Sequence, residues 1–335
     1  MVSLMIVLFA GSAAMLAYSE ARTPKTTKSP LVMNFDKLGQ TEELADTDNT
    51  ASDEGTASEL QEQTTEAETD TVLAENERLY HEAAEKGEKV YLLNCADKER
   101  VTFAFAGDIL LDDAYAMMFR YRSRGSDIND TFSADLLERM RSADVFMLNN
   151  EFPFSRRGTP TEGKTFTFRA NPDNIEMYAQ LGVDIVSLAN NHAYDFGKDA
   201  LLDTFTTLET AGIPYVGAGR DLNEAKKPVY FIANGMKIAV VSATQIERNA
   251  VPDTKEATAS SPGVLRCMDP AALLEVIAEA KASSDFVILY IHWGTESQEN
   301  TDWLQDKQAP IYAEAGVDLI IGDHPHCLQK LDVVS

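Results

Sequence analysis

The sequence predicts an α/β domain over residues 100–335, and three observations carry that prediction. From residue 100 onward, six short apolar runs alternate with stretches of helical composition, the pattern of strands joined through helices. Composition changes near the same point, from an acidic Ser/Thr/Glu-rich segment to regular hydrophobic runs. Five of the six runs then end in Asp, Asn, Glu or His, and the carboxyl ends of strands are where an α/β sheet carries its functional crevice.

Taken in order, the chain opens on MVSLMIVLFAGSAAMLAY, which is uncharged and mostly apolar. That is the composition of a signal-peptide core or a single membrane anchor over residues 1–20. The stretch is short for a full span, it lacks the usual basic n-region, and Ala17-Tyr18-Ser19 offers a small-x-small cleavage site. Cleavage and anchoring both fit, and the start is expected to lie upstream. Either way the bulk of the chain is expected on the extracytoplasmic face of the cell membrane, or secreted if the leader is cleaved.

Residues 21–99 read as a disordered acidic linker. Within it, residues 41–70 carry eleven acids, no base and no aromatic, so the segment cannot bury enough surface to offset the entropy of ordering it. Residues 72–88 have helical composition and predict a short helix at its end.

In the domain the candidate strands are 101–106, 144–149, 183–189, 237–243, 286–291 and 317–321, with helices at 133–143, 174–182, 199–212, 271–284 and 308–316. The formal net charge of −25, with no basic run, argues against nucleic acid as a partner. Cys95, Cys267 and Cys327 are far apart and odd in number, which argues against a disulfide framework. Cys327, beside His326, reads as a small buried thiol.

The strand ends carry Gly107-Asp108, Asn149-Asn150-Glu151, Asn190-Asn191-His192, HWGTE (His292 to Glu296) and GDHPH (Gly322 to His326). Oxygen and imidazole donors of this kind suit Mn, Zn or Fe better than a thiolate site would. Buried amides and imidazoles cost roughly 1–3 kcal/mol each if unpaired, so the stretch SLANNHAYDFG needs either a hydrogen-bond network of Asx turns or a bound ion.

Several of these stretches, FAGDILL, VFMLNNEFPF, FRANPDNIEMYAQLGVDIVSLANNHAYDFG, GIPYVGAGRDLNEAKKPVYF, ILYIHWGTES and LIIGDHPHCLQ, resemble the CapA family of poly-γ-glutamate capsule synthesis proteins. That family's fold is similar to the calcineurin-like metallophosphatases. The resemblance implies a metallophosphatase-like layered sandwich of mixed β-sheets flanked by helices. It implies a divalent metal held by Asp108, Glu151, Asn191, His292, His324 and His326, with His192 as the proton donor to a leaving group. The histidine expected two residues after Asp108 is replaced by Leu110, which puts one of two metal positions in question. Asn190 and Asp195 are expected behind the ligands, Asp195 as a helix cap or a partner of the imidazole. Arg169 is the candidate grip on a carboxylate or phosphate, and Lys164 is the other obvious cation.

The function implied is a membrane-associated, extracytoplasmic role in poly-γ-glutamate synthesis or export through a metal-dependent hydrolase-like site. Its partners would be poly-γ-glutamate or another anionic polymer, the capsule synthesis membrane components, and the membrane through the N-terminal segment. The alternatives are a metal-dependent phosphoesterase on another exported substrate and a non-catalytic polymer-binding module. The chain stops at LDVVS just after the His-x-His motif, so the domain is expected to be truncated.

Overall fold

The computed structural model describes the backbone of residues 2–10 and 13–21, and residues 71–247 and 254–334. In chain order its elements are β1 (Val2–Ala10), β2 (Ala13–Ala21), α1 (71–85), β3 (Lys89–Leu92), β4 (Arg100–Ile109), α2 (Ala116–Ser123), α3 (Ala134–Arg141), β5 (Val145–Asn150), α4 (Glu176–Leu181), β6 (Ile185–Ser187) and α5 (Lys198–Ala211). They continue with β7 (Tyr215–Val216), β8 (Ala218–Gly219), α6 (Leu222–Ala225), β9 (Val229–Ala233), β10 (Met236–Thr244), β11 (Gly263–Val264), α7 (Ala271–Ser283), β12 (Phe286–His292), α8 (Trp303–Ala315) and β13 (Leu319–Asp323).

Two large sheets form, in the orders β2-β1-β4-β5-β6-β7 and β13-β12-β10-β9-β3. The first runs parallel from β4 to β7. The second is mixed, because β9 and β10 make an antiparallel hairpin while β12, β13 and β3 pair in parallel. Strand side chains alternate between faces, and here both faces are apolar, as expected of strands covered on each side. Phe103, Phe105, Val145 and Met147 of the first sheet meet Phe231, Val240, Ile288 and Tyr290 of the second in one inter-sheet core. Their neighbours Ala104, Phe146 and Leu148 face the other way, onto Met118, Leu137, Tyr178, Leu201 and Phe205 from the helical side. Val241, Leu289 and Ile291 likewise pack on Leu273, Ile277 and Tyr312 from α7 and α8. The result is a helix, sheet, sheet, helix sandwich, the mixed layered fold expected. Each of the large buried side chains contributes about 1.5–3 kcal/mol relative to exposure.

The expected strands and helices fall on β4, β5, β6, β10, β12 and β13 and on α3, α4, α5, α7 and α8, with ends moved by a few residues. Two boundaries differ. The acidic linker was expected to run to residue 99; its residues 22–70 lie outside the described ones, and from residue 71 the chain forms α1 and then β3, which pairs with β9 at the sheet edge. The domain therefore starts upstream of residue 100. The leader expected over 1–20 has a backbone described as strands β1 and β2, and among the described residues no helix is long and apolar enough to cross a membrane. Cys95 and Cys267 are buried and free, but Cys327 is partly exposed rather than buried, because it follows the last strand into an open loop.

Candidate active site

The sandwich brings the carboxyl ends of β4, β5, β6, β12 and β13 to one rim. Asp108 pairs in register with Asn149 across the first sheet, and His292 pairs with Asp323 across the second. A register shift in β4 between Phe105 and Asp108 re-aims the acid, as a bulge beside a site does. The hydroxyl of Tyr290, on β12, donates to the carbonyl of Ala106 at that shift over 2.6 Å, which ties the two sheets together beneath the rim.

One cluster gathers around His292, whose ring is wholly buried. Its Nε2 lies 2.8 Å from Asn191 Oδ1, 3.0 Å from His324 Nδ1 and 3.5 Å from Glu151 Oε1. Its Nδ1 faces Asp323 Oδ1 at 3.1 Å, Asn149 Nδ2 at 3.4 Å and Asp108 Oδ1 at 3.8 Å. Asp108 in turn accepts from Asn149 Nδ2 at 2.7 Å and lies 3.0 Å from His326 Nδ1. Three groups of donors, Glu151 with His292 and His324, Asp108 with His292 and Asp323, and Asp108 with Glu151 and His326, each have ligand atoms within 4.8 Å of one another. The first and third share Glu151. His324 and His326 sit at φ of +88° and +56°, a backbone region that non-glycine residues seldom adopt and that costs of order 1–3 kcal/mol. Both rings reach the cluster at that cost.

Electrostatics show a cluster that protein atoms alone do not satisfy. Burial holds the imidazole of His292 down at about 4 and, together with neighbouring His292, that of His324 at about 3, so both rings are neutral bases with lone pairs to offer. Burial pushes the carboxyls of Glu151 and Asp323 well above the usual range, and each is pushed further by the Asp108 charge. For Asp108 itself burial acts upward, but the hydrogen bond from His326 and the His292 ring outweigh it and hold the carboxyl below its usual range. The same Asp108 bond raises His326. Among the described residues both oxygens of Asp323 are buried without a hydrogen-bond partner, and such orphans are rare in native proteins. Carboxylate, amide oxygen and neutral imidazole converging in this way fit a divalent cation of the Mn, Zn or Fe type.

The second cluster lies beside the first. Asp195 Oδ2 accepts from His192 Nδ1 at 2.7 Å and from the Phe168 backbone N–H at 2.7 Å, while its Oδ1 meets Lys164 Nζ at 2.5 Å. Asp195 and Lys164 are both buried. The Phe168 ring stacks on His192 with centroids 4.2 Å apart. Burial lowers the His192 imidazole, partly offset by its bond to Asp195.

All six expected metal ligands converge on the rim. Asn190 bridges the two clusters: its Nδ2 donates to Asn149 Oδ1 at 2.9 Å, and its Oδ1 accepts from the His192 backbone N–H at 3.0 Å. The Asx turn and the ligand arrangement therefore coexist, one on Asn190 and the other on Asn191. Asp195 is the partner of the imidazole and not a cap, since Gly197 begins α5 without a side-chain cap. Asn150 turns away, accepting from Tyr178 Oη at 2.7 Å in the helical core. Leu110 also packs against that helical core. Arg169 lays its guanidinium over the Phe196 ring, 4.2 Å from the centroid, and donates to the carbonyl of Arg157 at 3.1 Å. Lys164 is already paired with Asp195 and is no free cation. Sequence reasoning missed Asp323, although the quoted GDHPH contains it and a polar residue at the last position of a strand was the very signal used elsewhere.

Residues 102–335 match the family described as bacterial capsule synthesis protein PGA_cap. The "Capsule biosynthesis protein CapA" of Bacillus anthracis is 29% identical over 249 residues, which cover 71% of this chain and 57% of that protein. The "PGA biosynthesis protein CapA" of Bacillus subtilis strain 168 is 29% identical over 239 residues, 69% of this chain and 59% of that protein. A probable polyglutamine synthesis accessory protein of Mycobacterium tuberculosis is 30% identical over 199 residues, 57% of this chain and 52% of its own length. The chain thus spans only part of the length of the curated relatives it matches.

Proposed function

Because the chain belongs to the bacterial capsule synthesis family PGA_cap, we propose that it serves poly-γ-glutamate capsule synthesis or export as a metal-dependent hydrolase acting on that polymer or a related anionic one. The observation that carries this reading is the pair of donor groups sharing Glu151 at one rim. Its setting is the extracytoplasmic face of the membrane or the exterior, a reading supported by the uncharged, mostly apolar composition of residues 1–18, and its partners are the membrane components of capsule synthesis.

Charge supports the metal on independent grounds. Asp108, Glu151 and Asp323 crowd one point, Glu151 and Asp323 with carboxyls pushed up by burial and by the Asp108 charge, and a divalent cation there would let all three ionise together. When bound, a divalent ion supplies Lewis acidity to a substrate oxygen and makes water a better nucleophile near neutral pH. Glu151, Asn191, His292 and His324 would hold one ion, and Asp108 and His326 would share Glu151 around a second.

The remaining residues bind, orient and move a proton. Asp195 holds the Nδ1–H of His192, which leaves Nε2 as the atom that takes a proton from the attacking water and passes it to the departing group. Phe168 keeps that ring flat against a dry surface. Arg169, on the loop that carries Phe168, is the group proposed to meet a substrate carboxylate.

Elemental analysis of the purified full chain tests this reading, with His192→Ala and His324→Ala alongside. Bound metal in the wild type, lost in His324→Ala and retained in His192→Ala, is expected. Hydrolysis of γ-glutamyl polymer in preference to phosphoesters supports the capsule reading, and the reverse preference supports a phosphoesterase on another exported substrate. A metal-free wild type that binds polymer as well as both variants do leaves only a binding module.

A further inference from the structure

Among the described residues, Asp323 Oδ1 and Oδ2 are, with Arg266 Nε, the buried side-chain polar atoms that lack a hydrogen bond. Asp323 is 5% exposed and ends β13 directly opposite His292 at the end of β12. Its neighbours at the rim are partnered: Asp108 takes Asn149 Nδ2 and His326, and Asp195 takes His192, Lys164 and Phe168. His292 Nδ1 lies 3.1 Å from Oδ1, close enough for a bond but not aligned as one, and the Tyr290 hydroxyl that also faces the carboxyl gives its proton to the Ala106 carbonyl.

The two nitrogens of His292 divide the work. Nε2 points at Asn191 Oδ1, His324 Nδ1 and Glu151 Oε1, so Nε2 is the nitrogen that an ion would engage. A neutral imidazole that offers its Nε2 lone pair carries its proton on Nδ1, and that proton needs an acceptor. Of the atoms facing Nδ1, Asn149 Nδ2 is a donor and already serves Asp108, while Asp108 lies farther away at 3.8 Å. Asp323 Oδ1 is the acceptor that remains.

We propose that Asp323 is a positioning residue, the outer carboxylate of a carboxylate–histidine–metal triad that takes the Nδ1–H of His292 and so aims Nε2 at the ion. The inference rests on the metal reading above. It explains why a carboxylate is buried with no donor of its own: the bond it lacks is completed when an ion on Nε2 turns the imidazole into line. Outer carboxylates of this kind fix the tautomer and raise the basicity of the ligand, and removing one typically costs 10–100-fold in metal affinity.

The test uses the full chain and Co²⁺ as the probe, comparing wild type with Asp323→Asn, Asp323→Ala and His292→Ala by calorimetric titration and visible absorption. Asp323→Ala should weaken Co²⁺ binding by about 10–100-fold, Asp323→Asn by less, because its amide oxygen still accepts from Nδ1. The absorption bands of the loaded Asp323→Asn protein should match those of wild type, since no ligand is lost, whereas His292→Ala should change them or bind nothing. In the metal-free state Asp323→Asn should melt higher than wild type, because an unpaired buried carboxylate has been removed; a lower melting temperature would show a hidden partner and overturn the proposal. Wild-type affinity in Asp323→Ala overturns it while leaving the metal reading intact, and altered bands in Asp323→Asn overturn it by making Asp323 a direct ligand. A wild type that takes up no Co²⁺ sinks the metal reading and the triad together.

Discussion

Lys164, Asp195 and His192 form a cluster in which each buried group has found a protein partner. A few residues away His292, His324, Glu151 and Asp323 crowd together with ring nitrogen facing ring nitrogen and with both oxygens of Asp323 unpartnered. Both sit at the same rim and both are buried, so depth alone does not account for the contrast. The first network is complete as folded and behaves as structure that also orients a base. The second, on the proposed metal reading, is completed when a cation enters, and its stability would then belong to the loaded protein. Substitutions in the two clusters should therefore respond differently to metal, and that response is the way to break the comparison.

The largest effect is expected from Asp195→Ala. It strands the Phe168 N–H and leaves the Lys164 ammonium without its counter-charge, with the Asn191 carbonyl still an acceptor, and leaving one member of a buried ion pair unpaired costs roughly 3–5 kcal/mol. Chemical denaturation should show that loss equally in chelator and in saturating metal. A loss confined to the metal-loaded protein would mean that the first cluster also depends on the ion.

Next comes the pH response of the metal-free protein. His292 titrates near 6.5 when unfolded and at about 4 when folded, so its folded value is depressed. The unfolded chain then binds the extra proton between those values, and stability is present above pH 6.5 and lost as pH falls toward 4. Within that window the slope attributable to this one ring approaches about 1.4 kcal/mol per pH unit. Comparing wild type with His292→Gln isolates it, because Glu151 and Asp323, with raised folded values, act in the opposite sense and are common to both proteins. Parallel stability curves from pH 6.5 to 4 would contradict the burial assigned to the ring.

His324→Ala should then abolish most of the stabilisation that metal confers, about 2.7 kcal/mol at a free concentration one hundred times the dissociation constant, while the metal-free protein changes little. Thermal shift with and without Mn²⁺ reads both halves. An undiminished shift in the variant would remove His324 from the ligand set.

What the sequence disclosed follows the same division. Long apolar runs such as FVILYIH and KIAVVSA announced their strands because both faces are covered and no alternation was needed. The polar residues at their ends were visible as violations of that pattern, which is why Asp108, Glu151, Asn191, His292 and His324 were found. Shorter elements were missed where the signal was short: β7, β8 and β11 have two residues each. The strand β9 was missed despite a readable cue, since Asn234-Gly235 with φ of +52° and +74° makes the tight hairpin turn that this dipeptide favours. Partnership between remote side chains was beyond reach altogether. Lys164 read as a free cation because nothing local shows that a loop carries it onto Asp195, and Asp323 received no role of its own because its lack of a donor exists only in three dimensions.

Asn190 is the point where the clusters touch, and Asn190→Ala sharpens their boundary. The change removes the donor to Asn149 Oδ1 and the acceptor for the His192 N–H, which should cost about 1–3 kcal/mol for the buried groups left unpaired. Metal affinity should fall only modestly, since Asn149 still donates to Asp108. A collapse of metal binding as complete as that of His324→Ala would show that the clusters are one unit.

The smallest effect is expected at Arg169, which touches neither cluster. Its guanidinium stacks on Phe196 and braces the loop through the Arg157 carbonyl, and an exposed cation–π contact is worth about 0.5–1 kcal/mol. Arg169→Lys should lose that amount, because an ammonium neither stacks as a plane nor presents the forked donors that a carboxylate prefers. If the arginine also meets the polymer, the KM for γ-glutamyl substrate rises several-fold while kcat holds, the signature of binding shared by ground state and transition state. A KM left unchanged beside the expected stability loss would make Arg169 a brace for the loop that carries Phe168, and the recognition of the anionic chain would then fall to the metal rim itself.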